Sequence, residues 1–205
     1  MSARHASPAE EPVRVFFAVD LPETVRKEVA ELTEGLRREL PQAVRLPSEA
    51  SWHLTLKFLG DVPRRALPKL LARATARLQS EQPFDVSLAG LGAFPNARVA
   101  RVLWIGVGEG GARLAKLARK LDAAARGVGA PRERRPFHAH LTIGRLREPG
   151  HIPLERLPSP AGSGFSVEEV VLYESRLSSS GATYSPLAHL PLGADGEAIE
   201  LAPEL

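Results

Sequence analysis

Apolar and polar positions recur along the chain with one of two periods, and the changes of period divide it into short elements. Residues 14–22, RVFFAVDLP, are a continuous apolar run closed by a turn signal, which predicts a buried strand. Residues 23–40 carry Val25, Val29, Leu32 and Leu36 at helical spacing and stop at Pro41. A short strand is predicted over 43–47, and a second helix over 64–80, with Pro68 tolerable only in its first turn. Strands over 84–94 and 100–107 are separated by glycines and Pro95. Residues 110–129 set Leu114, Leu117 and Leu121 on one helical stripe. A strand over 137–146 follows, then strands over 165–177 and 182–192 joined across Ser-Ser-Ser-Gly. Helices are few and strands many, in the order β-α-β-β-α-β-β-α-β-β-β. The expected fold class is α+β, with mainly antiparallel sheets and helices packed on their outer faces.

The remaining stretch, residues 51–60, reads SWHLTLKFLG. Strict alternation puts Trp52, Leu54, Leu56 and Phe58 on one face of a strand and His53, Thr55 and Lys57 on the other. A solvated face needs only soluble residues, so a His-x-Thr pair is an unusual way to supply it. The same device returns in the strand over 137–146, where His140-Leu141-Thr142-Ile143 matches His53-Leu54-Thr55-Leu56. There Phe137, Ala139, Leu141 and Ile143 form the apolar face, and His138, His140 and Thr142 the polar one. One such motif is weak, because a strand histidine is most often structural. Two in a chain of six histidines is a chance event on the order of one in a hundred. Each lies on a strand that follows a helix, so two lobes of similar build are expected, related by a pseudo-twofold axis and presenting His-x-Thr to a central cleft.

The chemistry suits a phosphodiester. Two imidazoles can divide acid and base roles, because histidine titrates near pH ~6.5. Threonine hydroxyls two positions along can donate to non-bridging phosphate oxygens, where transition-state charge is stabilised. Charge agrees with an anionic partner. Residues 13–193 carry 26 basic and 18 acidic residues, densest at Arg132, Arg134 and Arg135 and then Arg145 and Arg147. Solvated arginines of an arginine-rich proteome would give the same count. With no cysteine, disulfides and thiolate metal sites are excluded. No apolar run nears the ~20 residues that cross a bilayer, and residues 1–12 lack the apolar core of a secretory signal, so a cytoplasmic protein without membrane contact is expected. Residues 1–12 are expected to be a disordered leader, 13–193 a single bilobal domain and 194–205 an acidic tail.

The paired H-x-T-[LI] motifs resemble those of the 2H phosphoesterase superfamily, and most of all its RNA 2',3'-cyclic phosphodiesterase branch, also called 2'-5' RNA ligases. Residues 13–22, 92–107, 135–145 and 167–187 are similar to further segments of that family, so the resemblance covers roughly 13–193. Ala139 departs from it, standing where the family usually has proline. The resemblance implies catalytic roles for His53 and His140, phosphate binding by Thr55, Thr142 and Arg145, and no metal or other cofactor. It implies hydrolysis of RNA ends bearing a 2',3'-cyclic phosphate to a 2'-phosphate, by a protein expected to be a monomer, with possible reverse 2'-5' ligation. Strand parity alone puts Arg145 on the apolar face, unless a bulge at Gly144 re-aims it. Lys57 reads as solvated, Arg135 as part of a basic loop or the cleft entrance, and Phe94 and Trp104 as core or as a surface on which a base stacks. Two other function classes fit fewer features. One is a zinc phosphoesterase built on His53, His138 and His140; the other is a non-catalytic RNA- or nucleotide-binding module.

Overall fold

A computed structural model describes residues 11–158, 160, 162, 164–178 and 181–193. The proposed leader and tail thus lie almost wholly outside the described residues, apart from Glu11 and Pro12. The apolar run forms β1 (Pro12–Asp20), which begins at the last residue of the expected leader. The amphipathic stretch forms α1 (Glu23–Glu39), burying Val25, Val29 and Leu36. β2 (Val44–Arg45) and β3 (His53–Pro63) follow, then α2 (Leu67–Leu78), with Pro68 in its first turn as the missing N–H requires. β4 (Phe84–Phe94), β5 (Ala100–Val107), α3 (Gly111–Arg126) and β6 (His140–Gly150) continue the chain.

The strand expected over 165–177 is two strands. β7 (Gly164–Val167) and β8 (Glu169–Ser178) break at Glu168, and β9 (Gly181–Pro191) closes the order. The reason is pairing. β7 joins β4, whereas β8 lies between β1 and β9. The nine strands form one antiparallel path, β7-β4-β5-β6-β3-β1-β8-β9, with β2 on β6. One residue separates β7 at one end of this path from β8 near the other, so the sheet must curl until its ends approach.

The two halves of the path, β7-β4-β5-β6 and β3-β1-β8-β9, meet at one pair, Leu54 opposite Leu141. α2 packs on α3, and α3 crosses β3. Buried residues of all three helices and both halves form one continuous apolar core, which includes Leu36, Leu70, Leu117, Leu54 and Leu141. This core fixes β3 and β6 from behind and leaves their histidine-bearing face open. Among the described residues, no helix is long and apolar enough to cross a membrane.

Candidate active site

Pairing of Leu54 with Leu141 decides the site. Carried one residue either way, this antiparallel register sets His53 opposite Thr142 and Thr55 opposite His140. Both histidines and both threonines are half-buried. The structure therefore brings the four residues of the two motifs together across one seam.

Each strand is irregular just past its motif. Thr55 pairs with Ala18 and Lys57 with Phe17, so Leu56 is an extra residue without a partner. Thr142 pairs with Trp104 and Gly144 with Leu103, so Ile143 is its counterpart. Such a bulge reverses side-chain parity beyond it. Arg145 consequently turns to the cleft side, where its positive charge depresses both imidazoles. On β3 the same reversal corrects two expectations. Phe58 is not on the buried face but 63% exposed, and Lys57 is not solvated but 6% exposed. Lys57 is instead paired with Asp122 of α3 at 2.8 Å and donates to the Pro131 carbonyl at 2.9 Å.

Both imidazoles are held by the backbone two residues before them. The His140 Nδ1–H donates to the His138 carbonyl at 2.8 Å, which leaves Nε2 to face a substrate. The His53 ring is hydrogen-bonded to the Ser51 backbone in the same way. Burial lowers the His53 pKa to about 4, against smaller opposing effects of Asp20 and Ser51. Burial also lowers His140, helped by the charges of His138 and Arg145 and opposed by the bond to the His138 carbonyl.

The walls are aromatic. Phe16, Tyr184 and Tyr173 stand 4.8, 5.1 and 6.2 Å from the His53 ring. Phe94 and Trp104 stand 5.0 and 6.2 Å from that of His140. Trp104 is a cleft wall rather than core, and the sequence makes room for it. A Cβ at Gly92, its partner on β4, would fall 2.1 Å from the indole. His138 packs at 4.7 Å from Trp104 and supplies its carbonyl to His140. Among the described residues, no three or more His, Cys, Asp or Glu side chains are grouped to hold a metal ion, so the trio of His53, His138 and His140 is not such a group. Arg135 lines a groove beside His140 together with Arg101, Phe94 and Phe58.

Sequence reading missed the residues behind His53. Asp20 pairs with it across the strands, is ion-paired with Arg26, and accepts a hydrogen bond from Tyr173. Burial and the Asp20 carboxylate push the Tyr173 hydroxyl up, so it remains a donor. Only the β1–β3 register could have pointed to Asp20, and pattern alone does not supply it.

Known proteins resemble this chain in sequence and in fold. Residues 21–178 match the 2'-5' RNA ligase superfamily. An RNA 2',3'-cyclic phosphodiesterase of Methanothermobacter thermautotrophicus is 33% identical over 180 residues, covering 85% of this chain and 96% of the relative. The Escherichia coli protein of the same name is 32% identical over 179 residues, covering 86% and 95%. A crystal structure from Thermus thermophilus superposes with a TM-score of 0.75 at 31% identity, over 89% of this chain and all of that one. Escherichia coli LigT complexed with 3'-AMP gives 0.74 at 30% identity, over 90% of this chain and all of LigT. Motifs, fold and sequence thus converge, and the chain belongs to the 2'-5' RNA ligase superfamily.

Proposed function

We propose that this enzyme opens the terminal 2',3'-cyclic phosphate of RNA to a 2'-phosphate, by acid–base catalysis between His53 and His140 without a metal. The observation that carries the reading is the register at Leu54 and Leu141, which faces each histidine with the other strand's threonine. The relatives' activity and the anion-friendly cleft support it.

His140 is the base. Its Nε2 takes a proton from water as the water oxygen attacks phosphorus. His53 is the acid, giving its proton to the 3'-oxygen as the P–O3' bond breaks. Register supports this assignment. Asp20 lies opposite His53, whereas Gly106 lies opposite His140. A carboxylate favours imidazolium, so the proton belongs on the His53 side once the substrate's own negative charge offsets the cost of burial. The Thr55 and Thr142 hydroxyls and the Arg145 guanidinium hold the non-bridging oxygens. A 5'-hydroxyl in place of water would give a 2'-5' linkage, the reverse ligation. We further propose that the enzyme acts as a monomer in the cytoplasm.

An oligonucleotide ending in a 2',3'-cyclic phosphate tests the proposal. Turnover in excess chelator to a 2'-phosphate is expected, with a rate that passes through a maximum as pH rises. A 3'-phosphate product, or activity that vanishes with chelator, would overturn it. His138→Ala keeps the carbonyl that orients His140, and its effect is expected to be mild.

A further inference from the structure

Alternate residues of β1 face the cleft. Asp20 stands opposite His53, Ala18 opposite Thr55 and Phe16 opposite Phe58. The next residue of that row is Arg14, which is exposed. On β8, Tyr173 pairs with Phe16, so Ser175 and Leu177 carry its cleft-facing row past Arg14. On β9, Tyr184 pairs with Ser175 and Ala182 with Leu177. The β8–β9 hairpin thus extends the cleft beyond the two motifs. Arg14, Arg145, Ser175, Leu177 and Tyr184 line one groove there, of about 590 Å³, in the range of pockets that take a small ligand.

Two features of this groove have no part in the reaction at the motifs. Leu177 is 68% exposed, an apolar side chain turned to water. Arg14 stands opposite Asp61 in register, yet among the described residues no ion pair joins them.

The proposed proton transfers say which part of the substrate comes here. Water attacks from the His140 side and the 3'-oxygen leaves towards His53, with the two in line through phosphorus. The ribose that carries the 3'-oxygen therefore lies on the His53 side, and the chain that continues from its 5'-carbon starts there. Phe16 and Tyr184 flank the His53 ring and also line the groove, so the two are continuous. Arg14 lies four residues along β1 from Ala18, about 13 Å, a span that one nucleotide and an arginine side chain cover together.

Resting on the proposed cyclic phosphate activity, we propose that this groove is a subsite for the RNA upstream of the reacting end. Arg14 holds the phosphodiester on the 5' side of the terminal nucleotide, and Leu177 packs against the nucleotide before it. The groove thereby favours an oligonucleotide end over a free cyclic mononucleotide.

Three substrates with the same reacting group test this on the intact protein. They are a nucleoside 2',3'-cyclic phosphate, the same nucleoside with an added 5'-phosphate, and a dinucleotide ending in the cyclic phosphate. Arg14→Ala is expected to lower kcat/KM by about threefold to twentyfold on the second and third, and to leave the first within about twofold of wild type. Arg14→Lys should keep most of the rate, and added salt should shrink the loss. Leu177→Ser is expected to lose about twofold to fivefold on the dinucleotide alone. Both positions are exposed, and circular dichroism and thermal melting check that the variants are folded. Equal losses from Arg14→Ala on all three substrates would make Arg14 a support of β1 and overturn the subsite, as would no loss on the dinucleotide. Wild-type protein inert on all three overturns the activity itself, and the inference falls with it.

Discussion

The two halves of the active site share a backbone and differ in what surrounds it. His53-Leu54-Thr55, an extra Leu56, then Lys57 and Phe58 run along β3; His140-Leu141-Thr142, an extra Ile143, then Gly144 and Arg145 run along β6. On the neighbouring strands, Asp20, Ala18 and Phe16 of β1 occupy the places that Gly106, Trp104 and Val102 take on β5. One strand further out, Tyr173 of β8 matches Phe94 of β4. The duplicated part is an imidazole, a hydroxyl and a bulge that turns the next long side chain back to the cleft, the set that the proposed reaction asks of both sides of a phosphate. The differing part divides the labour. One half gives its histidine a carboxylate neighbour and ends in an aromatic ring; the other gives no carboxylate and ends in a guanidinium. In the proposed mechanism, this symmetry of backbone with asymmetry of environment is what gives two identical groups opposite proton transfers.

Removing either imidazole is the strongest way to break the comparison. His53→Ala and His140→Ala are each expected to lose on the order of 10²–10⁴-fold in kcat on a cyclic phosphate end while remaining folded. Near-wild-type turnover by either variant would mean that one half suffices. The double variant is expected to be little worse than the slower single one, because the two groups act in one step.

The next test concerns a position where the halves diverge behind the site. A Cβ at Gly144 would stand 2.9 Å from Val44 and 3.2 Å from Leu103, so this half admits no side chain there. In the other half the equivalent Lys57 reaches Asp122, which also accepts from the Glu133 backbone at 2.9 Å. The loop leading to His138 and His140 is thereby tied to β3 and α3. Asp122→Ala leaves a buried ammonium without its partner, and is expected to lower stability by roughly 3 kcal/mol in chemical denaturation. Lys57→Met combined with Asp122→Leu should recover much of that loss. No recovery would mean that the loop, rather than the lone charge, sets the cost.

Most of this architecture was legible in the chain, because its elements follow local periodicity. The three helices, the strand order up to β6 and the alternation around both motifs are properties of short windows. What escaped depends on pairing between distant segments. The break at Glu168 comes from β7 and β8 joining different ends of the sheet, while the sequence there stays uniformly strand-like. The bulge at Leu56 reverses Lys57 and Phe58, and the alternation over 51–60 carries no local sign of it, because the extra residue is defined only by pairing with β1. Its twin had a local sign, Gly144, which raised the possibility of a bulge before Arg145. Asp20 and Tyr173 meet His53 through register alone, so nothing near them in sequence marks them.

Hydroxyl deletion is the third comparison. Thr55→Val and Thr142→Val keep the branched shape that suits a strand and remove one donor to the phosphate. Each is expected to lower kcat by about 10²-fold, with little change in melting temperature. Similar losses from the two would say that phosphate is held evenly across the seam. If one variant were silent, the phosphate would belong to the other half.

The gentlest perturbation is pH. Burial lowers the His53 pKa to about 4, and lowers His140 as well. An unfolded chain carries histidines near ~6.5. Between those values the unfolded state binds a proton that native His53 does not, so stability rises with pH through this window and falls as pH is lowered from 6.5 towards 4. His53→Gln should flatten that part of the stability curve, and His140→Gln should flatten it too, in the same direction. Imidazole resonances followed by NMR should give a midpoint for His53 well below the ordinary histidine value. Inorganic phosphate should move that midpoint upward, because an anion between the motifs favours the imidazolium. A midpoint that phosphate leaves in place would mean that the anion does not sit beside His53, and the acid would have to be sought on the other strand.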